Sequence, residues 1–147
     1  MEADLQVDIT GLKKLVKDLN KPRKIEVGVL DDERSAKIGF KHEFGNEYEN
    51  LPMRSFLLMP IHQRQEQLED VAQNTLDGTG DIKQVYTKVA QEAKYIIDGA
   101  FETGGYGQWA ELSGMAVARK LNNKDPNAIL IDTGQLRRSI KARVVNL

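Results

Sequence analysis

The stretch Ile129-Leu130-Ile131-Asp132-Thr133-Gly134-Gln135-Leu136-Arg137-Arg138-Ser139-Ile140 admits two readings, and they lead to different folds. Read as chemistry, an apolar run ending in Asp-Thr-Gly is a loop that presents a carboxylate to water, one half of a two-carboxylate site. Read as structure, it is an extended run, a turn and a short capped helix. In that second reading Asp132 is the N-cap and Gln135, three residues on, is its reciprocal partner. Leu136 and Ile140 then face inward, and Asp132, Thr133, Gly134 and Gln135 form a structural turn and helix cap. The rest of the chain supports the second reading.

Beyond the cap, Ile140, Ala142 and Val144 alternate with polar residues, the period of a half-buried strand. The same period occurs at the start of the chain in Leu5, Val7 and Ile9, and again in Ile25, Val27 and Val29. Between those two stretches Thr10 offers an N-cap, and Leu12, Leu15, Val16 and Leu19 follow at helical spacing up to Pro22. Asp31-Asp32-Glu33 caps or turns out of the second strand, and a short helix is expected over Arg34 to Glu43, with Ala36, Ile38 and Phe40 inward and Gly45-Asn46 as its stop. Asn50 to Ser55 is expected to be extended, because it approaches Pro52. One helix is expected from Phe56 to Leu76, with Pro60 in its first turn and Gly78 and Gly80 as breakers. The strongest helix runs from an Asp81 cap to Phe101 and carries Ile82, Val85, Tyr86, Val89, Ala93, Ile96, Ile97 and Ala100 on one stripe. Gly104-Gly105 stops it. Residues 104–128 read as a long connection that is flexible or orders on assembly, with a helical turn near Ala116 to Lys120. These elements predict an α+β class: a small antiparallel or mixed sheet, the N-terminal strand pair plus the C-terminal strand, packed against two long helices.

Composition sets bounds. The 147 residues are expected to form one domain with a real core. Net charge is −1 and pI about 6.1, so there is no global drive toward nucleic acid or an anionic membrane. Cysteine is absent, which excludes disulfides and thiolate zinc sites and suits a reducing compartment. Met1-Glu2-Ala3-Asp4 is acidic, unlike a signal peptide, and the longest apolar stretch, Phe56 to Ile61, is too short to cross a bilayer. Synthesis and use inside a cell, without export, is the expectation.

Few residues suggest catalysis or ligand binding. An aspartic protease built on Asp132-Thr133-Gly134 would have to be a homodimer, as retroviral proteases are. The loop falls too near the end of the chain for the β-barrel that normally follows it. His42 and His62 are isolated, and no metal site or cofactor is expected. Gly104-Gly105-Tyr106-Gly107 shares only its glycine content with a phosphate loop, and a helix C-cap explains it better. Two basic clusters, Lys13 to Lys24 and Arg137 to Arg143, read as solvated faces or as contacts to DNA or an acidic partner. Trp109 within a glycine-rich connection is either a core anchor or an interface anchor.

Four blocks, in order, carry a resemblance. They are Ile38 through His42-Glu43-Phe44-Gly45, then Leu51-Pro52-Met53-Arg54-Ser55-Phe56-Leu57, then Trp109 with Leu112-Ser113 and Arg119-Lys120, and finally Ile129 to Ile140. Together they make the chain resemble the tail-completion, or virion-morphogenesis, proteins of tailed bacteriophages over roughly residues 5–145. Ser55 departs from the proline common there, and Asn127-Ala128 departs from a Pro-Leu pair. The resemblance implies a non-enzymatic structural virion protein that completes the tail at its head-proximal end and allows head-tail joining. Its implied partners are further copies of itself in a hexameric ring, the tail tube or tail terminator protein, and head-tail connector proteins. DNA contact would be secondary, and no membrane is involved. It implies location in the tail or neck of the virion, and in host cytoplasm during assembly. On that basis Arg54, Phe56, Trp109, Arg119, Arg137 and Arg138 are the expected interface residues. A tail terminator that caps the tube is the nearest alternative role.

Overall fold

The computed structural model describes residues 8–111 and 134–147, which form six α-helices and a two-stranded antiparallel sheet, an α+β arrangement. In chain order these are α1 (Thr10–Leu19), β1 (Arg23–Val29), α2 (Glu33–Phe44), a 3-10 turn (Glu47–Glu49), α3 (Leu58–Gln63), α4 (Gln65–Thr79), α5 (Ile82–Thr103), α6 (Gln135–Ser139) and β2 (Ile140–Asn146). β1 and β2 pair from Arg23↔Asn146 to Val29↔Ile140. The nearly all-β build that the protease reading requires is not what these residues form.

α5 organises the molecule. Asp81 caps it, its carboxylate accepting the Lys83 amide at 2.9 Å, and Gly104 ends it in the left-handed region at φ 65°. Both termini agree with the sequence expectation. One side of α5 packs on both strands and the other on α4. Its buried residues are Ile82, Ala90, Ala93, Ile96, Ile97, Ala100 and Phe101; of the expected stripe Val85, Tyr86 and Val89 are only half-buried, and Ala90 takes a buried place the periodicity did not mark. The core gathers Phe56, Ile97, Ala100, Phe101, Trp109, Leu136 and Ile140, with Val27, Val29 and Leu57 packed around them. α4 buries nothing fully; its half-buried residues are Leu68, Val71, Ala72, Thr75 and Leu76.

Several expectations are corrected. Thr10 is the first residue of α1 rather than its cap; Ile9 holds the cap position, and the Asp8 carboxylate accepts the Thr10 amide at 2.9 Å. Ile9 is therefore not in a strand, and the rest of the expected N-terminal strand, Leu5 and Val7, lies outside the described residues. The expected helix from Phe56 to Leu76 is two helices, broken at Arg64 (φ −117°, ψ 27°), whose guanidinium lies 3.2 Å from the centre of the Tyr106 ring. Gly78 is helical, and only Gly80 ends α4.

The inward face of α2 also differs. It is Ser35, Gly39 and Glu43, while Ile38 and Phe40 are exposed. Close approach dictates this choice: a Cβ on Gly39 would stand 3.2 Å from both Leu136 and Phe56. In α6 the N-cap position belongs to Gly134 (φ 61°), with no side-chain cap bond, and Gln135 Nε2 reaches the Asp32 carboxylate at 3.4 Å. Asp132, Thr133, Arg119, the Ala116–Lys120 turn and the Ile129–Ile131 run lie outside the described residues. Leu136 and Ile140 face inward as expected, 4% and 2% exposed.

Candidate functional site

Residues of the first three blocks, Glu43, Arg54, Ser55 and Trp109, meet at one buried junction, and Leu136 and Ile140 of the fourth pack in the core beside Phe56. Glu43, 5% exposed, ends α2 beneath the start of α3. Its carboxylate accepts the Ser55 hydroxyl at 2.6 Å and the amides of Phe56, Leu57 and Leu58 at 2.9, 3.0 and 2.9 Å. Ser55 Oγ in turn accepts the Met59 amide at 2.9 Å. A buried carboxylate is tolerated here because donors converge on both of its oxygens. Ser55 thereby supplies a hydroxyl link between Glu43 and the Met59 amide.

Arg54 continues the junction. Its amide donates to His42 O at 2.7 Å, and its guanidinium donates to the carbonyls of Ala110 and Glu111 at 3.1 and 3.3 Å. Burial pulls its pKa below the ordinary arginine value, and the guanidinium stays charged. Trp109 closes the same site from above: its indole N–H donates to Ser55 O at 2.9 Å, and its ring meets Phe101 edge-on at 5.9 Å. The glycine turn makes this possible. Gly105 has φ 68°, and a Cβ there would collide with the Trp109 indole. Gly45 is required for a similar reason, since a Cβ would lie 2.9 Å from the Met53 amide.

The expected interface residues thus separate into groups. Phe56 (3% exposed), Trp109 (9%) and Arg54 (5%) are buried inside the subunit, so the expectation of surface anchors is corrected to core and junction. Arg137 is half-buried, lies 3.6 Å from Asp98 and pairs with Glu102, both on α5. Arg138 is exposed. The Gly104–Trp109 turn is a helix C-cap: the amides of Gly105, Gly107 and Trp109 donate to the carbonyls of Ala100, Thr103 and Gly104. Those donors are spent internally, which disfavours a phosphate cradle. His42 sits in α2 and His62 in α3; among the described residues no group of three potential metal ligands gathers. No described helix is long and apolar enough to cross a membrane.

Sequence reasoning missed the outer apolar surface. Phe40 (66% exposed) and Phe44 (53%) touch ring to ring at 4.8 Å, with Met53, Leu58 and Met59 also exposed. Beside them a groove of about 270 Å³ runs over Gly39, Phe56 and Leu57. A second bare face lies on α1, where Ile9, Leu12, Val16 and Leu19 are 44–60% exposed. The signal was present as the i, i+4 pair Phe40 and Phe44. It was outweighed by the assumption that aromatic residues face inward.

Comparison with family models, with curated proteins and with solved structures finds no match for this chain.

Proposed function

We propose that the chain is a structural virion protein of the tail-completion kind, acting through assembly rather than catalysis. Copies join into a ring at the head-proximal end of a phage tail and make the tail competent to meet a filled head. Support comes first from the ordered sequence blocks: residues of the first three meet at the Glu43–Arg54–Trp109 junction, and Leu136 and Ile140 of the fourth join Phe56 and Trp109 in the core.

The observation that carries the reading is the pair of bare apolar faces on different elements, α1 and the Phe40–Phe44 side of α2. A chain that works alone rarely leaves two such faces uncovered. A head-to-tail ring needs two different faces on each subunit.

The test is the mass of the purified chain by size exclusion with light scattering, across concentration, with and without tail-tube and neck proteins of the same phage. A closed ring, alone or with a partner, is the expected result. A strict monomer or dimer that ignores every tail and neck protein overturns it.

A further inference from the structure

α1 has little of its own subunit to hold it. It is ten residues long, and an isolated helix shorter than about 12–15 residues is marginal in water, so it persists by packing. It touches α5, yet only Asp18 is buried and Leu15 half-buried. The stripe Ile9, Leu12, Val16 and Leu19 is bare. Those positions recur every three or four residues, the spacing with which an amphipathic helix seats its apolar face in a groove.

The groove beside Phe40 and Phe44 is the matching half. Phe40, Phe44 and Leu58 are exposed in its lining, and Gly39 and Phe56 are buried in it. Its single charged lining residue is Glu43, whose carboxylate already accepts four donors. Stripe and groove are both uncovered in the one subunit, so α1 does not fill its own groove.

Charge selects the same match. Residues 10–24, α1 and its exit, hold six Lys or Arg and one acid, whereas residues 31–49, α2 and its flanks, hold six acids and three Lys or Arg. Lys13 and Lys17 lie along one flank of the apolar stripe and have no ion-pair partner among the described residues. Around α2, Lys37 and Lys41 are paired with Glu33 and Glu49, and Asp31 with Lys141. That leaves Arg34 against Asp32 and the exposed Glu47, three residues past Phe44. Surfaces of opposite sign steer encounter and fix register.

Resting on the assembly reading above, we propose that α1 of one copy seats its Ile9, Leu12, Val16 and Leu19 stripe in the Phe40–Phe44 groove of the next, with Lys13 and Lys17 toward the acidic flanks of α2. Each contact joins two different faces, so copies add in one direction until a ring closes.

Variants that keep only one of the two faces test this. Leu12→Ser with Val16→Ser removes the stripe, and Phe40→Ser with Phe44→Ser removes the groove. All four side chains are exposed, and unchanged circular dichroism and melting confirm intact subunits. By light scattering, under the conditions that assemble the parent chain, each variant alone is expected to stay monomeric. An equimolar mixture is expected to stop at a pair, because one intact stripe then meets one intact groove. Variants that still build the parent ring overturn the inference and leave the assembly reading in place. Failure of one variant only gives its face a different partner and overturns the match. The chain lacks cysteine, so single-cysteine variants supply an independent readout. On mild oxidation, ¹⁵N-labelled Val16→Cys mixed with unlabelled Phe44→Cys is expected to give mixed-isotope disulfide dimers several-fold above either same-isotope dimer. The random ratio of the three pairings overturns the inference, as does a chain carrying both cysteines that closes on itself. A parent chain that never assembles defeats both readings.

Discussion

At the residue scale, Glu43 carries more of the structure than its place in a polar-looking helix suggests. Glu43→Ala leaves the buried Phe56 amide and Ser55 hydroxyl and the part-buried Leu57 and Leu58 amides without this acceptor, a buried group costing about 1–3 kcal/mol when unsatisfied. The expected loss is at least about 3 kcal/mol of unfolding free energy, measured by urea titration; a loss under about 1 kcal/mol would mean the junction is dispensable. Phe56→Ala empties a core position and is expected to cost about 3–5 kcal/mol, giving an unfolded or molten chain rather than a folded one that fails to assemble. Trp109→Phe keeps most of the volume but strands the Ser55 carbonyl, and is expected to cost about 1–3 kcal/mol. None of this was legible residue by residue. Glutamate at a helix end reads as solvated, and its acceptors' partners lie 12 to 15 positions away. Only the resemblance grouped Glu43 with Ser55 and Trp109, and it did so without a physical reason.

At the element scale, legibility followed the mechanism of each signal. The cap at Asp81 and the stops at Gly45 and Gly104 were readable from local sequence, whereas Asp32, which caps α2 by accepting the Ser35 amide, read only as part of the exit from β1. The strands at Arg23–Val29 and Ile140–Asn146 were readable because alternation is local. The face of α2 was not, because shape decided it: Gly39 admits Phe56 and Leu136 to the helix backbone, and hydrophobicity alone ranks Ile38 and Phe40 above it. The break at Arg64 carried no local signal, and the ring its guanidinium lies over, Tyr106, is far along the chain. Asp81→Ala is expected to cost about 1 kcal/mol by thermal or urea unfolding, as for other helix caps. The Asp32 cap also predicts pH dependence. The Ser35 hydroxyl and amide hold the Asp32 carboxyl below its ordinary value, so the folded state binds that proton less readily than the unfolded chain. Its contribution is present above the ordinary carboxylate range and is lost as pH falls through the lowered value. Lys141 lowers Asp31 in the same direction. The melting temperature is expected to drop below about pH 4, and the drop should be smaller in Asp32→Asn, which keeps an acceptor but cannot titrate.

At the scale of the whole molecule, an interior held by specific polar contacts sits beneath a surface left partly apolar. Phe40→Ser with Phe44→Ser is expected to leave melting nearly unchanged, because both rings face outward, while weakening assembly measured by light scattering. Coupled loss of fold and assembly would instead place the pair in the core. Among the described residues, a sheet of two strands and the α5 spine leave apolar faces on α1 and α2 exposed. The Glu43 clasp has a further consequence, in time rather than in energy. Phe56 and Leu57 lie outside any helix or strand, and Leu58 is the first residue of a six-residue helix, so their amides would ordinarily trade hydrogen with solvent quickly. Here each donates to a buried carboxylate from another helix, and freeing them requires α2, α3 and the Trp109 turn to part together. In deuterated water these three amides are expected to be among the last to exchange, at the rate of global opening rather than of local fraying.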